Sequence, residues 1–233
     1  MNPSRFGASY DPNFPATISN AQAWWDFSDL STITKDGSDR VSQVNDKIGS
    51  WNLTQGTGGS QPLWLSANKN GLDVIDTVGS RWLENTHTTI GGSNCICSAM
   101  YYPDENLAPL RQMFWNTNDY TNRMMAESQG TVGSFGMYSG TAIGFSGAAA
   151  LGNAWHYTDM QYGASARWSV DGTDKVTGNS GTQNPDSIRI SVDSDGINYF
   201  GNTKFGEIIY IDGTLSAGDT TSMRSYLAAK WGI

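Results

Sequence analysis

The chain has 233 residues, of which 15% are charged and 38% hydrophobic, and a formal net charge of −8. That length holds one large all-β domain or two small ones, and so low a charge content excludes both a charge-extended disordered segment and a coiled coil. The acidic balance excludes nucleic acid and anionic membrane as partners, because both need clustered Lys and Arg.

Residues 1–19 are polar, contain three prolines and show no apolar run of signal-peptide length. They read as an N-terminal arm, a docking segment ahead of a single domain over 20–233. No 18 consecutive apolar residues occur, so no helix is expected to cross a bilayer. From residue 20 onward the apolar pattern has period two, predicting strands over 23–27, 72–76, 82–85, 95–102, 111–116, 123–127, 134–138, 142–145, 154–162, 166–171, 187–192 and 205–212. Turn clusters separate them, among them Asn68-Lys69-Asn70-Gly71, Asp171-Gly172, Asp195-Gly196 and Asp212-Gly213. Short strands punctuated by Asp-Gly pairs imply antiparallel meanders in two packed sheets. The 27 glycines, about 12% of the chain against a usual ~7%, suit such turns and disfavour long helices.

Cys95 and Cys97 are the only cysteines. Residues i and i+2 of a strand lie roughly 6 to 7 Å apart, too far for a disulfide, so two buried free thiols are expected. One helix closes the chain. Ser216-Ala217-Gly218-Asp219 has capping-box spacing, Met223, Tyr226, Leu227 and Trp231 follow at helical intervals, and Gly232 supplies the stop.

At this point a resemblance becomes visible. It is carried by Trp24-Trp25-Asp26-Phe27-Ser28-Asp29-Leu30-Ser31-Thr32-Ile33-Thr34, then Asn70-Gly71-Leu72-Asp73-Val74-Ile75, Trp168-Ser169-Val170-Asp171-Gly172, Gly206-Glu207-Ile208-Ile209-Tyr210 and Ala228-Ala229-Lys230-Trp231-Gly232-Ile233. This order resembles the concanavalin-A-like, laminin-G-like jelly-roll domains of phage virion proteins and bacterial surface proteins, with a weak match over 103–153. The resemblance implies an all-β, two-sheet antiparallel jelly-roll sandwich with a short C-terminal helix, and a bias toward binding. Activity does not follow from it.

Enzymatic chemistry finds little support. Paired carboxylates on one strand face would signal glycoside hydrolysis. Glu84, Glu105, Glu127 and Glu207 each lack an acid two residues on, and Glu207 and Asp212, five apart, fall on opposite faces of a regular strand. No nucleophile elbow, phosphate loop or His-Glu-x-x-His stretch is present. His156 sits in a predicted strand and reads as structural, whereas His87 reads as a solvated loop residue. No cofactor is expected apart from calcium. Asp193 and Asp195 offer oxygens to that ion, or else Asp195-Gly196 simply makes a hairpin turn.

Binding is better served. Residues Trp115, Asn116, Asn118, Asp119 and Tyr120 form a polar stretch flanked by aromatics, the mix that stacks on a sugar face and hydrogen-bonds its hydroxyls. Two functions follow. One is a non-enzymatic phage virion protein, a head decoration or fibre component assembled in the host cytoplasm as a homo-oligomer, by analogy a trimer, with capsid or tail proteins as partners. The other is a lectin-like adhesion module whose partner is a host or environmental glycan.

Overall fold

The computed structural model describes residues 10–102, 112–128, 134–145 and 151–233. Among these residues 17 strands form two sheets in which every ladder is antiparallel. The first sheet runs β15 (Thr173–Gly178), β14 (Ala166–Val170), β13 (Ala154–Gln161), β8 (Asn94–Tyr102), β17 (Lys204–Asp212), β6 (Leu72–Asp76) and β5 (Leu63–Lys69), with β1 (Ala21–Asp26) also paired to β17. The second runs β12 (Ala142–Phe145), β11 (Phe135–Tyr138), β10 (Met125–Ser128), β9 (Gln112–Asn116), β16 (Ser187–Ile190), β7 (Leu83–Thr86), β4 (Leu53–Thr54), β3 (Val41–Val44) and β2 (Ile33–Lys35). The chain is therefore the all-β jelly-roll sandwich its sequence implies, with one short C-terminal helix.

Five strands, β2 to β5 and β15, are absent from the sequence expectation. β2, β5 and β15 are half or fully exposed, and β3 and β4 bury only Val41, Val44 and Leu53 within runs of two to four residues, so no sustained apolar alternation marks them. Turn chemistry, by contrast, falls where expected: Asn70-Gly71 and Asp171-Gly172 both take positive φ, the paired left-handed conformation of a tight hairpin. Arg111, expected to open a strand, lies outside the described residues.

Strand β8 is apolar at both parities because both its faces are covered. Ile96, Met100 and Tyr102 point between the sheets, where they join Ile208 and Tyr210 against Phe114, Phe135, Ile188 and Ile190. Cys95, Cys97 and Ala99 point the other way, with Trp24, Ile209 and Ile211, beneath Met223, Tyr226, Leu227 and Trp231 of helix α1 (Ala217–Trp231). Burying each such large side chain is worth about 1.5–3 kcal/mol, so the helix seals a second apolar layer on a sheet that already carries one. Both thiols are free and buried, with their sulfurs 3.7 Å apart.

The ends of α1 are fixed as the sequence anticipates. Ser216 Oγ accepts the Asp219 amide at 3.1 Å, and Gly232, at φ 62°, donates its amide to the Ala228 carbonyl at 2.9 Å. The β5–β6 turn adds a tertiary cap, since Asn70 Nδ2 donates to the Lys230 carbonyl at 2.9 Å. Residues 10–18 of the expected arm touch the domain through Tyr10, Phe14, Pro15 and Ile18 and leave the rest exposed. Tyr10 and Phe14 set their rings 5.7 and 5.8 Å from that of Tyr226, and Ile18 is buried. No described helix is long and apolar enough to cross a membrane.

Candidate functional site

Two segments project from the second sheet and are stitched together. The loop after β9, residues 117–124, is closed by Asp119, whose Oδ1 accepts the amides of Thr121 and Asn122 at 2.8 and 2.7 Å. After β16 the chain makes an excursion and returns beside β9, where the Met113 amide donates to the Tyr199 carbonyl at 3.0 Å. Its turn is held by Asp195, whose Oδ1 accepts the amides of Ile197 and Asn198 at 2.9 and 3.0 Å. Asp193 is the clamp between the two. Its buried Oδ1 accepts from Asn116 Nδ2 (2.5 Å), from the Arg123 guanidinium (2.8 Å) and from the Ser194 amide (2.7 Å). Ser194 Oγ then donates to the Asp119 carbonyl at 3.2 Å.

On this rigid base sits an unusual surface. Of the five exposed large apolar side chains among the described residues, three lie here: Tyr120 (58%), Ile197 (72%) and Tyr199 (42%). Clustering of that kind marks a contact surface more often than scattered single residues do. Arg123 lies over the Tyr120 ring at 5.0 Å, fixing the ring's inner face and leaving the outer one to solvent. Burial, then the charges of Asp193 and Asp195, push the Tyr120 phenol above its ordinary range. The Ile197 amide and the Asn198 groups hold Asp195 below the usual carboxylate range.

The sequence-predicted site residues divide by depth. Tyr120, Asn118 and Asp119 are at this rim, although Asn118 is tied to Ser187 Oγ, which accepts its amide at 2.9 Å. Trp115 and Asn116 lie beneath it. Trp115 is fully buried and donates its indole N–H to the Tyr162 hydroxyl at 2.8 Å, so it offers no face to a sugar and belongs to the core. Of the two readings of Asp193 and Asp195, the turn fits: Gly196 is at φ 75°, and a guanidinium already occupies the place a calcium ion would take on Asp193. No group of three or more His, Cys, Asp or Glu side chains suited to a metal occurs among the described residues.

Sequence reasoning missed Arg123, Ile197 and Tyr199 because about 75 residues separate the two segments, a pairing the period-two pattern alone cannot reveal. It also missed a carboxyl pair. Asp26 and Glu207 face each other in the β1–β17 register, both on the helix side of the sheet. They form no reactive groove, because Lys230 lies between them at 2.9 and 3.0 Å and Glu207 accepts from Trp24, Tyr226 and Trp231. Both are buried, Glu207 completely. Glu84 is paired with Arg189 at 2.8 Å and Glu127 is buried, while Glu105 lies outside the described residues. His156 is held between Asp171 Oδ2 (2.6 Å) and the Leu151 carbonyl (3.1 Å). His87, expected to be solvated, instead stacks on Trp51 with ring centroids 3.8 Å apart, and burial lowers its basicity.

No protein-family model and no curated protein matches the chain. Solved structures similar to it include the binding domain of botulinum neurotoxin serotype G, with a TM-score of 0.62 at 10% identity over 91% of this chain and 54% of that one. Trypanosoma rangeli sialidase in complex with sialic acid gives 0.59 at 9% identity, over 92% and 34% respectively. A GH54 α-l-arabinofuranosidase gives 0.57 at 11% identity, over 82% and 51%. The chain thus spans about half or less of these neighbours, and at such identities the likeness establishes the sandwich fold alone.

Proposed function

We propose that this domain is a non-enzymatic carbohydrate-binding module, of the adhesion type, whose sugar-facing surface is the rim of Tyr120, Tyr199 and Ile197 with Asn118, Asp119 and Asn198 around it. The observation that carries the reading is the gathering of exposed aromatic and apolar side chains on two loops that carboxylates hold rigid. A rigid site loses little entropy on binding, and a phenol ring backed by a guanidinium is a platform for the apolar face of a sugar. The structural neighbours support it, since they include a neurotoxin binding domain and proteins that act on or carry sugars. Retention of the full chain on a glycan array, with loss in Tyr120→Ala combined with Tyr199→Ala, tests the proposal. A chain that binds no glycan, or a double variant that binds unchanged, removes it.

A second reading concerns where such a module works. The likeness of the segments from Trp24 to Thr34 and from Ala228 to Ile233 to phage virion jelly rolls favours display on a particle surface, as an oligomeric head decoration or fibre. Tyr10 and Phe14 lie against Tyr226 of α1, so a docking role for the N-terminal arm falls to its exposed positions and to residues 1–9, which precede the described residues. Co-sedimentation with phage particles tests display, and its absence leaves an adhesion module of another setting.

A further inference from the structure

Resting on the reading of the rim as a sugar site, we infer that its ligand is a neutral glycan and that sugars bearing carboxylate, sulfate or phosphate are rejected. The argument is one of charge around Tyr120. Asp119, Asp193 and Asp195 stand on the two loops themselves, and Asp186 adjoins them, 3.5 Å from Asn122 Nδ2. Against these acids the rim sets two guanidiniums among the described residues, and both are already engaged. Arg123 is bound to Asp193 at 2.8 Å, and Arg189 to Glu84 at 2.8 Å and to the Ser194 carbonyl at 2.5 Å. An anionic sugar would have to break one of these pairs or meet the carboxylates unscreened. A further cation, Arg81 on the neighbouring loop, donates to the Val78 carbonyl at 2.7 Å and leaves the excess of acids standing. The upward push that Asp193 and Asp195 give the Tyr120 phenol reports the same negative field at the atom a ligand would touch. The chain's net charge of −8 adds a long-range term of the same sign. Hydroxyls, in contrast, need break no ion pair: the Tyr120 phenol, Asp119 Oδ2 and Asn198 Oδ1 can meet them, while the Asn118 side-chain amide is held by Thr86 Oγ1 at 3.3 Å and that of Asn198 by Asp195 Oδ2 at 2.5 Å.

The test uses the full chain and glycans in matched pairs that differ only by a terminal sialic acid, measured at about 0.15 M and about 0.01 M salt. Neutral members should be retained. Adding the carboxylate should weaken binding about fivefold or more, the factor that one repulsive contact at ~4 Å in water supplies. The gap should widen at low salt, where the screening length grows from about 8 to about 30 Å. Asp195→Asn, which preserves an acceptor for the turn amides, should narrow it. Equal or tighter binding of the sialylated members, or binding of them that strengthens as salt falls, overturns the inference. So does acidic-glycan binding that disappears in Arg81→Gln. Retention of no glycan of either kind sinks the rim reading itself, and this inference with it.

Discussion

Glu207 and Lys230 meet at 3.0 Å beneath α1, where both side chains are almost wholly withdrawn from water. The ammonium also reaches Asp26 at 2.9 Å, so one buried cation serves two buried carboxylates, and the hydroxyl of Tyr226 and two indole N–H groups supply the remaining hydrogen bonds to Glu207. Removing the cation would strand two acids in apolar surroundings. Lys230→Met should therefore lower unfolding free energy by roughly 3–5 kcal/mol, and adding Glu207→Gln should restore part of it. Urea denaturation of the single and double variants checks this, and a loss below about 1 kcal/mol would show that the network is relaxed by water.

The same network sets the acid limb of stability. Burial alone would raise Asp26, but Lys230, the Ser28 hydroxyl and Lys47 outweigh it and hold the group below its ordinary 3.8. Lys47 and Ser31 hold Asp29 low as well. Depressed acids contribute stability that is present above the unfolded value and is lost as pH falls through the folded one. Glu207 has the opposite sign: burial raises it above 4.5 against the pull of Lys230, so its contribution is present below 4.5 and fades as pH rises through the raised value. Denaturant midpoints measured from about pH 7 down to about pH 2.5 should fall below pH ~4, and Asp26→Asn should flatten that fall while lowering the neutral plateau.

Gly206 occupies the one position on β17 where the Trp231 indole lies directly on the backbone. A Cβ built there would stand 2.6 Å from the ring, and the ring has nowhere to retreat, being fully buried and bonded to Glu207 at 2.9 Å. Gly206→Ala should therefore cost about 1–3 kcal/mol by overpacking, and quench or shift the tryptophan fluorescence of the folded state. An alanine variant as stable as the parent would mean that α1 can slide on the sheet.

How much of this was legible beforehand depends on the range of the interaction. The helix was readable to its caps, because Ser216, Asp219 and Gly232 act within a turn of where they stand. The central strands were readable because both inter-sheet and helix-side layers demand apolar residues at fixed parity. The polar edge strand β15 left no such trace, since its partners are backbone atoms on one side and solvent on the other. Lys230 stands beside the apolar stripe of α1 and Glu207 inside Gly206-Glu207-Ile208-Ile209-Tyr210, two charges that the sequence reading did not connect. Their pairing required the register of β17 under α1. The rim likewise showed only one half, Tyr120; Ile197 and Tyr199 stand on the excursion after β16, which is tied to the Tyr120 loop through Asp193 and Ser194.

Cys97 illustrates a consequence of double-sided burial. Its thiol donates toward or accepts from Cys95 at 3.7 Å, and that neighbour first, then burial, pushes it well above the ordinary thiol range. Neither sulfur should react with iodoacetamide in the folded protein at neutral pH, and both should react after denaturation. Alkylation of the native chain at the rate of a free thiol would show that α1 opens from the sheet.

Trp115 and Tyr120 separate core from surface within six residues, and their substitutions should fail in opposite ways. Trp115 fills the space between the sheets and bonds Tyr162, which in turn donates to the Met125 carbonyl at 3.0 Å. Trp115→Ala should cost about 3–5 kcal/mol through the cavity it leaves, lowering the unfolding midpoint sharply. Sugar affinity per folded molecule should then change little. Tyr120 has 58% of its surface in solvent and meets Arg123 on its ring and Asp193 at its phenol. Tyr120→Ala should leave the unfolding midpoint nearly unchanged and weaken glycan binding about tenfold, as loss of one stacked ring predicts. Calorimetric unfolding and glycan titration on the same preparations resolve the two. If Trp115→Ala abolished binding at a temperature where the chain is folded, the sugar would have to enter between the sheets and the rim would lose its role.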